Sequence, residues 1–192
     1  MSRIFIFLIL NFYLSSCQNN DYSPKPKAYH RIVLPEKAYN NQSVNGCPFL
    51  FDTPTYSLLL DDTNKKAKPC WKNVDFPQFN ARLHLSYFAI DKHATLEALT
   101  EDARAFVFKH TTKATAIDQQ KVEQLKNNIH GLVYNIQGNT ASNLQFFVTD
   151  QKNHYLRGAL YFNEKPNLDS IQPVLDFLKS DIQHMITTIR WK

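Results

Sequence analysis

The sequence predicts an α+β domain, a mainly antiparallel sheet with helices packed on it. Three observations predict it. The stretch FNARLHLSYFAI alternates with the period of a strand: Ala81, Leu83, Leu85 and Tyr87 take one side, Arg82, His84, Ser86 and Phe88 the other. Two later segments repeat their apolar residues at helical spacing. Between them, three strand-like runs are joined by turns too short for parallel crossovers.

The chain opens with one cation (Arg3), an apolar run from Ile4 to Leu14, and then small residues, the anatomy of a secretory signal. The run falls short of the roughly 20 apolar residues a membrane helix needs. Leu14-Ser15-Ser16-Cys17 resembles the bacterial lipobox, which is cut before its cysteine once the sulfur carries lipid. The alternative is an ordinary signal that ends by chance on a cysteine. On the lipobox reading, residues 1–16 are a lipoprotein signal peptide and Cys17 is the lipidation site, with thiol and amine both acylated by chains such as palmitate. Each buried CH₂ contributes about 0.8 kcal/mol, so several chains hold where one alone is marginal. Residues 17–28, with Pro24 and Pro26, read as a semi-rigid lipidated tether. Residues 29–192 then form a single α+β globular domain, within the usual size range.

Inside that domain, YHRIVLP (Tyr29–Pro35) reads as a short strand closed by proline, and NNQSVNGCP as turn chemistry. PFLF and TYSLLL are β-rich, and DDTNKKAKP is a loop. Cys47 and Cys70 remain after the anchor, an even pair in an oxidising envelope, and read as a disulfide. Closing that loop stabilises by about 3 kcal/mol in the chain-entropy model. Free structural thiols are the alternative. Beyond the alternating strand, Thr95 caps a helix whose Leu96, Leu99, Ala103, Phe106 and Val107 form an apolar stripe. The polar segment DQQKVEQLKNN precedes three strands, IHGLVYNI, NLQFFVTD and YLRGALYF, in a meander. A last helix runs from Ser170, with Ile171, Val174, Leu175, Leu178, Ile182, Met185, Ile186 and Ile189 on one stripe and Pro173 placed in its first turn.

A hydrophobic content of 43% is enough for a core, and only 4 glycines with 13% aromatic residues argue against disorder. The formal charge of +5 is spread out, and its densest cluster (Lys65, Lys66, Lys68) sits beside Asp61 and Asp62. The basic stripe of a nucleic-acid binder is missing, so no nucleic-acid partner is expected. Weak attraction to anionic lipid stays open.

The motifs GxSxG, HExxH, Walker A and GxGxxG do not occur. The 7 histidines are dispersed without an i, i+4 pair, so neither a metal nor another cofactor is expected. His84 and Ser86 share a strand face and, with an aspartate, could be drawn as a hydrolytic triad. Nothing positions an oxyanion hole, so His84 reads first as a hydrogen-bonded sheet histidine, and no catalytic residue is assigned. Arg157, in the middle of YLRGALYF, must reach solvent or pair with an acid or carbonyls. Structural pairing is the first reading and anion binding the second. Gly158 suggests a bulge or a close backbone approach. The GNTASN turn, with Asn139 and Asn143, reads as an exposed loop open to contacts. Asp169-Ser170-Ile171 resembles a Bacteroidetes O-glycosylation sequon, or else a helix cap.

Taken together, YSPKPKAYHRIVLPEKAY, CPFLF, PCW, FPQFNARLHLSY, HTTKATAI, GNTASNLQFFVTD, HYLRGALYFNEKPNLDSI and the terminal IRWK resemble the gliding-motility lipoprotein GldD family of Bacteroidetes, over essentially the whole mature chain. The resemblance implies a membrane-anchored envelope lipoprotein of the gliding machinery, linked to type IX secretion. Its implied partners are other gliding-motility and secretion proteins of the envelope, and the membrane through the lipid anchor. It implies no catalytic residues. The expected function is therefore non-enzymatic protein binding. The alternatives are a small-ligand or cell-wall-binding domain around Arg157 and His84, and a hydrolase using Ser86 and His84. Gln18 stands where an aspartate would favour inner-membrane retention under the enterobacterial sorting rule, which points to the outer membrane, facing the periplasm. The order of strands and helices also resembles the Mog1/PsbP-like α/β/α sandwich.

Overall fold

Residues with strict two-residue alternation make the centre of the molecule. In the computed structural model, which describes residues 31–44, 46–109 and 111–192, the stretch Ala81–Ala89 is one strand (β5) and buries Ala81, Leu83 and Leu85. The signal peptide, Cys17, the tether, His30 and His110 lie outside the described residues.

Before β5 come β1 (Tyr39–Ser43), β2 (Phe49–Pro54), β3 (Leu58–Asp61) and β4 (Lys72–Phe76). After it come helix α1 (Leu96–Phe108), β6 (Ala114–Gln124), β7 (Ile129–Gly138), β8 (Leu144–Thr149), β9 (His154–Phe162), helix α2 (Leu168–Thr188) and β10 (Arg190–Trp191). Seven strands make one antiparallel sheet in the order β3-β4-β5-β9-β8-β7-β6, and β1-β2-β10 make a second, smaller sheet. Helices cover both faces of the large sheet, which is the expected α+β class.

The two faces are filled differently. On one, α2 sets Val174, Leu175, Leu178, Ile182 and Met185 against Val74, Leu83, Leu85, Leu156 and Leu160, with Phe49 and Phe51 of β2 completing the core. Gly158 matters here: a Cβ at this position would stand 2.2 Å from the Phe146 ring, so its hydrogen is what leaves the ring room. The strand pairing runs through Gly158 without a shift, so the residue marks a close approach and not a bulge. On the other face, α1 buries Leu99, Ala103 and Val107 against Tyr134, Ile136, Phe147 and Tyr155. Thr95 caps α1 as its sequence predicts, its hydroxyl accepting from the Ala98 amide at 3.2 Å.

Four expectations are corrected. Tyr29–Pro35 is not a strand over its described part: Pro35 cannot donate to a ladder, and Ile32, Val33 and Leu34 stay exposed. The polar segment after α1 is largely a strand: β6 is an edge strand that lies mostly beyond the cover of the helices, so it buries only Val122 and shows no apolar alternation. Helix α2 starts at Leu168, with Asn167 as its N-cap residue, so Pro173 falls one turn later than expected and Ser170 is not the cap. Phe106 leaves the α1 stripe, since Leu99, Ala103 and Val107 define the buried line and Phe106 is 43% exposed beside it.

Two devices fasten the connections. A Cys47–Cys70 disulfide, with Cα atoms 5.5 Å apart, joins the turn after β1 to the loop before β4. Asp181 of α2, only 1% exposed, accepts from Lys37 Nζ at 2.5 Å, from the Tyr39 hydroxyl at 2.8 Å and from the Tyr56 hydroxyl. Lys37 Nζ also lies 3.9 Å from the centre of the Phe177 ring. A buried carboxylate is tolerable only when its lone pairs are filled in this way.

Candidate functional site

The face under α1 is only partly covered. The helix roofs Tyr134, Ile136, Phe147 and Tyr155 and leaves β3, β4, β5 and the far end of β9 open. Register decides what that opening displays. His84 stands opposite Ala159 and Ser86 opposite Arg157, so alternate residues of β5 and β9 meet on one side. Asn73 faces His84 from β4, and the exposed Leu58 and Leu60 of β3 continue the same side at its edge.

A cleft of about 260 Å³ sinks into this face, lined by Asp62, Trp71, His84, Ser86, Phe106, Gln145, Arg157, Ala159 and Tyr161. A wider depression of about 550 Å³ adjoins it, sharing His84 and Tyr161 and running past Asp75 and Arg82. Of the residues singled out in the sequence, His84, Ser86 and Arg157 are therefore brought together. Asn139 and Asn143 are not.

Arg157 is the unusual member. Its guanidinium carbon sits 4.4 Å from the centre of the Phe106 ring, a cation–π contact. Among the described residues it has neither an ion-pair partner nor a hydrogen bond, which corrects the expectation of a structural acid pair. Burial pulls its pKa below the ordinary arginine value, against weaker opposing pulls from Tyr155, Asp102 and Tyr161. The neighbouring cation Arg82 is engaged otherwise, in a two-pronged pair with Asp75 at 2.6 and 2.7 Å. Asp62 at the rim accepts from the Asn64 amide at 3.0 Å and from its side chain at 2.6 Å.

His84 lies edge-on to Tyr161 with ring centres 5.5 Å apart. Burial, and then the charge of Arg82, lowers its pKa, so the imidazole is neutral near pH 7. Among the described residues, Ser86 makes no hydrogen bond to His84, and no carboxylate orients the ring. The pair does not form the linked nucleophile and base that acyl transfer needs.

The walls were missed in the sequence. Trp71 directly follows Cys70 and is held by its indole N–H donating to the Tyr87 carbonyl at 3.0 Å. The Asp62 amide donates to the Trp71 carbonyl at 3.1 Å, so both wall residues belong to one loop that the disulfide clips. Tyr161 was legible: it has the parity of Arg157 on the same strand.

The GNTASN turn is corrected too. Thr140, Ser142 and Asn143 are buried, and Asn143 donates to the carbonyls of Ile136 at 2.8 Å and Gly138 at 2.9 Å. Asn139 is exposed, yet its side-chain oxygen accepts from the Leu168 amide at 2.7 Å and so closes the start of α2. These asparagines hold structure. No group of three or more metal-ligating side chains occurs among the described residues, and no helix there is long and apolar enough to cross a membrane.

A family model described as gliding motility lipoprotein GldD matches residues 19–191. No curated protein matches the sequence. Among solved structures, the chain is similar to the solution structure of cyanobacterial PsbP (CyanoP) from Synechocystis, with 14% identity and a TM-score of 0.46, covering 88% of this chain and 100% of that one. A likeness at that level decides nothing about function.

Proposed function

We propose, because this chain belongs to the gliding motility lipoprotein GldD family, that it acts in the envelope as a non-enzymatic component that binds partner proteins through the open face of its large sheet. Family membership makes it a lipid-anchored envelope protein of the gliding machinery. The rest is this reading's own: anchoring through Cys17, a tether at 17–28 carrying the domain 29–192, a place on the outer membrane facing the periplasm, and partners in gliding and type IX secretion.

One observation carries it. A half-buried arginine lies in an open cleft with no ion-pair or hydrogen-bond partner for its guanidinium among the described residues, beside aromatic walls of the kind that anchor interfaces. Beside it, Ser86 and His84 lack the mutual hydrogen bond of a nucleophile and its base.

The test is replacement of the chromosomal copy, with gliding, secretion, protein abundance and co-purified partners measured together. Arg157→Glu is expected to abolish gliding and strip partners from the tagged chain at normal abundance. Ser86→Ala and His84→Ala are expected to leave gliding nearly intact. Loss of gliding in a stably folded Ser86→Ala protein would overturn the reading in favour of hydrolysis.

A further inference from the structure

The chemistry of the cleft narrows what it takes. We infer that it receives the C-terminal carboxylate of a partner chain that ends in an apolar residue. This rests on the binding reading above and specifies its ligand.

Charge comes first. Among the described residues Arg157 is the only arginine or lysine lining the cleft: His84 is neutral near pH 7, Arg82 is held by Asp75, and Lys109, 4.6 Å from the centre of the Phe106 ring, is not part of the lining. A phosphate dianion would set two negative charges against one guanidinium, with the Asp62 carboxylate also on the wall. A monoanion matches. The planar fork of arginine fits a planar carboxylate with two parallel N–H donors, a geometry that a lysine cannot offer. Ser86, directly opposite Arg157 in the β5–β9 pairing, and Gln145, one strand further on, place a hydroxyl and an amide in the same lining.

Size and walls come second. At about 260 Å³ the cleft by itself has room for one residue, and the wider depression that adjoins it has room for the chain leading to that residue. Trp71, Phe106 and Tyr161 supply apolar surface beside the guanidinium. A chain terminus presents a carboxylate and an apolar side chain on the same Cα. An internal acidic residue must borrow its apolar group from a neighbour and bring a longer stretch of chain into the cleft.

The experiment uses the full-length protein in detergent and fluorescein-labelled tripeptides read by anisotropy. Gly-Gly-Phe with a free C-terminus is expected to bind saturably, and its C-terminal amide at least about tenfold more weakly, the step of one lost charged contact. Arg157→Lys should lose the acid-over-amide preference while its circular dichroism stays that of the wild type. Equal binding of acid and amide by the wild type overturns the inference, and no variant is needed to see it. So does equal or tighter binding of a Gly-Glu-Gly amide, which carries only a side-chain carboxylate. Displacement by free N-acetylphenylalanine as effective as the tripeptide acid would move the source to a small free acid and overturn the partner-chain assignment. Displacement by inorganic phosphate at lower concentration than the tripeptide acid would do the same for the carboxylate. Absence of saturable binding up to about 1 mM overturns it as well. In each case the broader reading stands or falls separately, on whether Arg157→Glu still strips partners from the envelope.

Discussion

Asp181 and Arg157 are both charged groups drawn out of water, and the fold treats them oppositely. Asp181 is surrounded by donors from its own chain: an ammonium and two phenols reach its two oxygens. Arg157 has an aromatic face and a cleft. One buried charge is completed from within the chain and the other is left open, which is the contrast the binding reading of Arg157 rests on.

Four measurements break or sharpen that contrast. The largest effect belongs to Asp181. Asp181→Ala removes the common acceptor of Lys37, Tyr39 and Tyr56, and denaturant unfolding is expected to show a loss of about 3 kcal/mol, in line with hydrogen bonds to a charged group. A loss under about 1 kcal/mol would make Asp181 as dispensable as Arg157 is expected to be, and the contrast would collapse. Alkaline titration probes the same cluster. Burial and the nearby Asp181 push the Tyr39 hydroxyl up to about 12, from an ordinary value of 10.0, and raise Tyr56 as well. The folded state keeps protons that the unfolded state has lost, so stability should hold below about pH 10 and fall as pH rises towards 12. Tyr39→Phe should flatten part of that fall.

Second comes the disulfide. Reducing Cys47–Cys70 is expected to cost about 3 kcal/mol, and Trp71 fluorescence should shift because its loop is no longer clipped. The Asp181 cluster should keep its alkaline profile. The smallest effect is expected at Arg157. Arg157→Met keeps contact with Phe106 and removes an uncompensated charge, so stability should change by less than about 1 kcal/mol in either direction. A loss comparable to Asp181→Ala would show that Arg157 supports the fold and would weaken the binding reading.

The sequence shows the parts of this fold that have a period and hides those that depend on neighbours. Strand β5, the Thr95 cap, the three later strands and the α2 stripe all repeat apolar residues against one buried face, and a period is a local property. Strand β6 has no such face, so DQQKVEQ carries no sign that it pairs. Arg157 stands out in YLRGALYF because a cation interrupts an apolar run. That its partner is the Phe106 ring, and that His84 and Ser86 share its cleft, follows from the β5–β9 register and the seat of α1, which are tertiary facts. Trp71 and Asp62 become walls only once the β3–β4 pairing brings the two ends of their loop together. Asn143 shows the opposite failure. Its turn composition reads as solvent-loving, yet three of its polar side chains turn inward to satisfy backbone carbonyls.

The cluster around Asp181 also has a mechanical meaning. Lys37 precedes every strand among the described residues, and its ammonium is bound to a helix 144 positions further along the chain. On the proposed anchoring through Cys17, traction would arrive from the amino end. It would meet the Lys37 clasp before it reaches the β1–β2 hydrogen bonds. On that anchoring the clasp would pass the pull to a helix seated along the core ahead of the five-residue strand β1.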